Sequence, residues 1–319
     1  MMLKSIFSNI IDYFKKICFF CTKKIVSFIG IEMSPPWINT KAQKLIQYRD
    51  DDIVISVPPK SGTTWTMNIV YQLINGGDSD FLDIYNKVPW IEFAETPGIT
   101  TQDIVQRIND MPLDVRRAFK THASPEILPF NPNVKYVVIF RNPEEAIVSF
   151  KPFIENHTDE WFAKWGIPHK VMKRETFTQF YNDVIVGMNL WKKFFGFLKN
   201  WWPKRNEPNV LFMHFNEMKQ DHEGSIYKIA DFLGYRCEEN TWENILEYTS
   251  FNWMKQNQIK FEVPVVAPGL LKSGGMIRKG QAGKAYEDGM TKEISEDFYK
   301  RGMKLVKDSK AMEWYYKGQ

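Results

Sequence analysis

The 319-residue sequence predicts an α/β fold, a central parallel sheet with helices on both faces, opened by a P-loop-like phosphate-binding strand–loop–helix. Three observations predict it. Apolar runs at Asp52 to Val57, Lys135 to Phe140 and Asn209 to Phe215 are each followed by a helical pattern. The first two junctions carry turn chemistry, a glycine-bearing loop after the first run and Arg141-Asn142-Pro143 after the second. Longer helical patterns cover Phe177 to Asn200 and Thr291 to Lys307.

In chain order, Leu3 to Gly30 comes first. Leu3, Ile6, Ile10, Phe14, Ile17, Cys21, Ile25 and Phe28 recur at three- and four-residue steps, an amphipathic helix. Lys15, Lys16, Lys23 and Lys24 interrupt it, so it falls short of the ~20 apolar residues of a membrane span. They break up a secretory leader in the same way. A helix packed on the main domain is preferred; a basic helix on a membrane surface, giving peripheral contact through residues 3–30, is the alternative. Pro35-Pro36 then breaks the chain, which divides it into a helical extension at 1–32 and a catalytic-type domain at 33–319.

Asp52 to Val57 reads as a buried strand and Thr63 to Asn75 as the helix after it, with V-P-P-K-S-G-T-T-W (Val57 to Trp65) spanning the join. At the carboxyl end of a parallel strand, this is where ligands bind. The backbone N–H groups of Ser61, Gly62, Thr63 and Thr64 open a helix and would face an anion. Gly62 lets the backbone come close, Thr63 and Thr64 offer hydroxyls, and Lys60 adds charge. A nucleotide-kinase loop reads G-x-x-x-x-G-K-[ST]. Here the lysine precedes the single glycine and no acidic residue for Mg²⁺ follows a later strand, so the loop suits phosphates held without a required metal. Pro143 suits the first turn of a helix through Glu144 to Phe150.

Bulk composition narrows the function classes. With 42 basic and 38 acidic residues the net charge is +4, too mild for a nucleic-acid partner but suited to a small anionic ligand. Three cysteines build no disulfide framework and point to a reducing, cytoplasmic setting; Cys18 and Cys21 read as apolar helix positions.

Five segments together resemble the cytosolic-type sulfotransferases: P-K-S-G-T-T-W; Lys120-Thr121-His122; R-N-P with Ser149 eight residues after Arg141; Thr249-Ser250-Phe251 with Met254-Lys255; and Arg278-Lys279-Gly280 with Gly283. The likeness spans about residues 37 to 319. It implies transfer of a sulfuryl group from 3′-phosphoadenosine 5′-phosphosulfate (PAPS) to a hydroxyl or amine of a small-molecule acceptor, with 3′-phosphoadenosine 5′-phosphate (PAP) as product and no metal. By resemblance, Arg141, Ser149, Arg278, Lys279 and Gly280 hold the 3′-phosphate, and Trp65, Thr249 and Phe251 lie by the adenine. His122 is the base of an in-line displacement, Lys60 stabilises the leaving phosphate, and Lys120 holds the sulfuryl oxygens. V-P-W-I-E (Val88 to Glu92) falls at the acceptor wall, giving Pro89, Trp90 and Glu92, with Phe150, Phe153, Trp161 and Phe162 as further candidates; core packing explains these rings equally well.

The chain also departs from the family. Ala123-Ser124 stands where relatives often have Leu-Pro, and Phe215 where many place a tyrosine against the adenine. After Gly283 the family's usual dimer-forming stretch is missing, so the usual dimer is not expected. The competing readings are a P-loop nucleotide kinase, a non-catalytic nucleotide-binding relative and a membrane-anchored glycan sulfotransferase. The first lacks its motif, the second would have lost the base, and the third needs an anchor that Leu3 to Gly30 makes poorly.

Overall fold

A computed structural model describes residues 35–262, 270–272, 274–278, 280 and 283–318. The amphipathic segment at 3–30 and Lys279 lie outside the described residues.

Four parallel strands form one sheet: β1 (Ile53–Ser56), β2 (Ala118–Thr121), β3 (Lys135–Phe140) and β4 (Val210–His214), in the order β2-β1-β3-β4. Ile53 lies opposite Ala118 on one side and Lys135 on the other, and Tyr136 lies opposite Val210. The helices of six or more residues that matter here are α1 (Thr63–Asn75), α2 (Thr101–Asn109), α3 (Pro143–Glu155), α4 (Asp159–Lys164), α5 (Leu190–Trp201), α6 (Phe215–Gln220), α7 (His222–Leu233), α8 (Glu239–Tyr248), α9 (Phe251–Gln256), α10 (Lys292–Val306) and α11 (Ser309–Lys317).

Successive strand residues point to opposite faces, so each strand feeds two cores. Val54, Tyr136, Val138 and Phe140 pack with Phe194, Leu198 and Trp201 of α5, Phe298 of α10 and Tyr315 of α11. Ile53, Ile55, Val137 and Ile139 pack with Met67, Val70 and Leu73 of α1 and with Ile226 and Ile229 of α7. Both sheet faces are covered, which explains why the strands read as continuous apolar runs.

Three elements differ from expectation. β2 is a fourth strand, four residues of A-F-K-T with all side chains buried, too short and too charged to stand out in the sequence. The helix begun at Pro143 runs on through Pro152 to Glu155, capped by Asn142, whose side chain accepts from Glu144 N. The single helix expected over 177–200 is broken. After Phe177–Phe180 comes a wide turn at Tyr181–Val186, where Gly187 N reaches five residues back to Asn182 O (2.9 Å). Asn189 then adopts left-handed φ 56°, and α5 starts in a new direction. Among the described residues, no helix is long and apolar enough to cross a membrane.

Candidate active site

The strand order reverses between β1 and β3, and the loops leaving their carboxyl ends meet at that point. The turn after β1 is tightly specified. Lys60 has φ 64° and Gly62 φ 94°. A Cβ at Gly62 would lie 2.8 Å from a ring carbon of Phe215, the first residue after β4, so only glycine fits that conformation and that contact. The turn ends in the amino terminus of α1, where the Thr63 hydroxyl is buried without a partner. Ser61 is fully buried and its N–H is used within the turn, on Pro58 O at 3.3 Å.

Trp65, one turn into α1, donates its indole N–H to Thr249 O at 2.8 Å and meets the Phe215 ring edge-on at 5.6 Å. Thr249 is itself buried, with its hydroxyl on Ile245 O at 2.6 Å and His222 Nε2 3.0 Å away. His222 also lies against the Trp65 ring at 5.7 Å and went unnoticed in the sequence, because 27 residues separate it from Thr249.

Arg141 leaves β3 above the Phe215 ring, 4.9 Å from its centre. Its Nε donates to Glu145 one helical turn on (2.9 Å), and an Nη donates to Lys60 O (3.2 Å), which joins the two loops. The other Glu145 oxygen accepts the Gly283 N–H. Arg278 is exposed at the rim. Lys255 ties down its segment by donating to Ile277 O and to Gln258 Oε1 at 3.1 Å. Gly280 has φ 60°, and a Cβ there would fall 2.3 Å from the Phe251 ring, so a side chain would push the segment away. Burial, and then the charges of Arg141 and Arg278, push the Lys60 ammonium down to about 7. A bound anion would relieve that repulsion.

A second group of candidate residues stands on β2 and just after it. Trp90 bridges to Lys120: Lys120 N donates to Pro89 O (2.9 Å) and Ile91 N to Lys120 O (3.0 Å), so V-P-W-I-E lies along the free edge of the sheet. Glu92 is thereby carried under His122, whose backbone N–H donates to Glu92 Oε1 at 2.8 Å. His122 Nδ1 lies 2.6 Å from Val57 O. A carbonyl only accepts, so Nδ1 carries the proton and Nε2 keeps a free lone pair. Burial first, and then Lys120, hold the ring well below the ordinary histidine range, so it is neutral at pH 7. The Lys120 ammonium sits 3.2 Å above the Trp90 ring, and burial pushes it down to about 7.

These groups share one cavity of about 530 Å³. Lys60, Gly62, Thr63, Thr64 and Trp65 line it from the first loop and the start of α1, Lys120 from β2 and His122 just after it, Arg141 just after β3 and Ser149 from α3. Phe215, Phe251, Arg278 and Gly280 complete that side. Ser61 and Thr249 stand behind the lining. Of the acceptor-wall candidates, Trp90, Glu92, Phe150, Phe153 and Phe162 line the cavity. Pro89 borders a separate, smaller cavity of about 240 Å³. Trp161 is 1% exposed and stacks behind Phe93 at 6.0 Å. Sequence reasoning missed Gln43, Trp37, Met188, Leu190 and Phe194, which also line it. The one signal available for the last three was the Gly187–Asn189 break that turns α5 toward the cavity.

A family model described as "Sulfotransferase domain" matches residues 50–310. Human sulfotransferase 1C2 is 27% identical over 290 residues, covering 88% of this chain and 93% of its own. Dog sulfotransferase 1B1 is 31% identical, covering 80% and 84%. Among solved structures, a mouse sulfotransferase complexed with PAP superposes with TM-score 0.65 at 23% identity, covering 88% of this chain and 93% of that one. Retinol dehydratase in a complex with retinol and PAP gives TM-score 0.65 at 22% identity, covering 82% of each.

Proposed function

The chain belongs to the sulfotransferase family, and from that premise we propose that it moves the sulfuryl group of PAPS to a hydroxyl or amine of a small-molecule acceptor. One observation carries the reading: Lys60, Arg141 and Arg278 border the same cavity as Lys120 and His122. The residues fit a doubly phosphorylated nucleotide. The orphaned Thr63 hydroxyl lacks an acceptor, and the charges of Arg141 and Arg278 beside the buried Lys60 ammonium favour an anion there.

On this reading Lys60, the N–H groups that open α1 and the Thr63 and Thr64 hydroxyls hold the 5′ side of the donor. Arg141, Ser149, Arg278 and the Gly280 amide hold the 3′-phosphate, and Trp65, Phe215 and Phe251 offer ring faces to the base. The bound donor supplies an activated sulfuryl group. His122 takes the acceptor's proton on Nε2, which the Nδ1–Val57 bond leaves free. The Glu92 carboxylate holds the backbone that carries the ring by accepting the His122 N–H. Lys60 and Lys120 offer positive charge to the oxygens where negative charge grows. Sulfuryl transfer resembles phosphoryl transfer, in which positioning and charge stabilisation carry most of the rate.

Thermal unfolding tests the binding half. PAP at micromolar concentration raises Tm in the presence of EDTA, and ATP raises it much less. Equal shifts with both nucleotides, or a shift that needs Mg²⁺, would contradict the assignment.

A further inference from the structure

Among the described residues, three glycines lie inside helices: Gly224 in α7, Gly302 in α10 and Gly196 in α5. Glycine weakens a helix interior, so each place needs a reason. At Gly224 a Cβ would collide with the Asp221 carboxylate that caps α7, and at Gly302 with the Phe195 ring. At Gly196 neither sterics nor backbone supplies one. Its φ lies outside the left-handed region, and a Cβ placed there would meet no atom within 4 Å.

That open space adjoins the main cavity. Gly196 is half-buried and lines it. Lys192, Lys193 and Asn200, one turn away on the same face of α5, line it too. A helical Cβ leans toward the preceding turn, so a side chain at 196 would lie along this lining, toward the two lysines. The face stands close to the base. Asn200 Nδ2 donates to Ser124 Oγ at 3.0 Å and to Glu126 Oε2 at 2.7 Å, just beyond His122 in the chain, and the Lys193 charge is felt at the His122 ring. Lys192 and Lys193 are exposed, so the lining reaches the surface at that end. Phe197 and Ile127, which also line the cavity, give this arm apolar sides.

We propose that Gly196 is a specificity-determining residue, which holds open an arm of the cavity along α5 for the far end of an elongated acceptor, a phenol or alcohol with an extended apolar substituent. The inference rests on the sulfotransferase reading above and adds the shape of the acceptor to it. An apolar chain laid along the arm gains with each methylene it buries, and a side chain at 196 would take its place.

Two phenols test it, 4-methylphenol and 4-octylphenol, each measured as kcat/KM with PAPS and as Kd for the PAP-loaded protein. In Gly196→Leu the octyl compound is expected to lose at least ~tenfold in both measures, while the methyl compound and PAP itself stay within about twofold of wild type. In Gly196→Ala, whose single methyl group leaves most of the arm free, both phenols stay within about twofold and Tm rises by ~1–3 °C, because alanine favours the helix. Losses of equal size for the two phenols in Gly196→Leu overturn the proposal, as does no loss for either. So does a lowered Tm in Gly196→Ala, which would make the glycine a requirement of the fold. So does failure of the octyl compound to bind the wild-type protein while PAP binds. Failure of PAP itself to bind overturns the sulfotransferase reading instead. The alanine result stands whether or not the leucine variant folds.

Discussion

On the proposed reading, the donor side and the acceptor side of the cavity are built in opposite ways. On the donor side, charge and backbone shape decide. Lys60, Arg141 and Phe215 each stand within a few residues of a strand end, and the conformations of Gly62 and Gly280 leave room only for glycine. On the acceptor side, a wall is assembled from separate helices: Phe150 and Phe153 from α3, Phe194 from α5, and Trp90 on the sheet edge. An anion needs donors at fixed places, and short loops at strand ends supply them. An apolar molecule needs only area, which many arrangements of side chains provide.

That contrast can be broken most sharply at the residue between the two sides. His122→Ala should lower kcat/KM by ~10²–10⁴-fold while PAP affinity stays within about twofold, read by single-turnover assay and calorimetry. Activity close to wild type would remove His122 as the base. Next, Arg141→Ala should weaken PAP by ~10–100-fold and leave the KM of a saturating acceptor nearly unchanged, as expected for loss of charge-assisted bonds. A large change in acceptor KM alone would erase the division between the sides.

Phe150→Ala, half-buried on the acceptor wall, should raise acceptor KM by about tenfold or less with PAP binding intact. The smallest effect is that of pH. Lys60 and Lys120 are both pushed down to about 7, so the free protein sheds their protons above that value. Anion binding favours the charged ammonium, hence PAP binding takes up protons and its affinity falls as pH rises from 7 to 8.5, a few-fold per coupled lysine. Below pH 7 the lysines are already charged and the dependence flattens. Calorimetry in buffers of different ionisation enthalpy reads the proton uptake directly; affinity that rises with pH would show that neither lysine meets the nucleotide.

The same contrast explains how much was legible beforehand. The run from Val57 to Trp65 displays its strand, turn and helix in consecutive residues, and Asn142-Pro143 announces the start of α3. Both are local, since capping and turn conformation depend on near neighbours. β2 was not legible as a strand, because four residues containing a lysine make no periodic pattern and their burial comes from pairing with β1. Lys255 stood in a recognised segment, yet its hold on Ile277 O spans 22 residues. Gln43 gave no signal at all, since its contact with Thr121 spans 78.

By itself, then, the chain of residues determined the α/β class, the glycine-bearing turn between β1 and α1 and the family, because each is written in short spans where backbone preference and charge act on neighbours. Tertiary structure alone decided that Glu92 meets the His122 backbone and Gln43 the Thr121 hydroxyl, that Trp161 lies behind the cavity lining while Phe153 forms part of it, and that α5 turns toward the cavity after Asn189. Those outcomes depend on which surfaces meet when the helices close over the sheet. Burial, unlike a turn, is a property of the whole packed molecule and of no single segment.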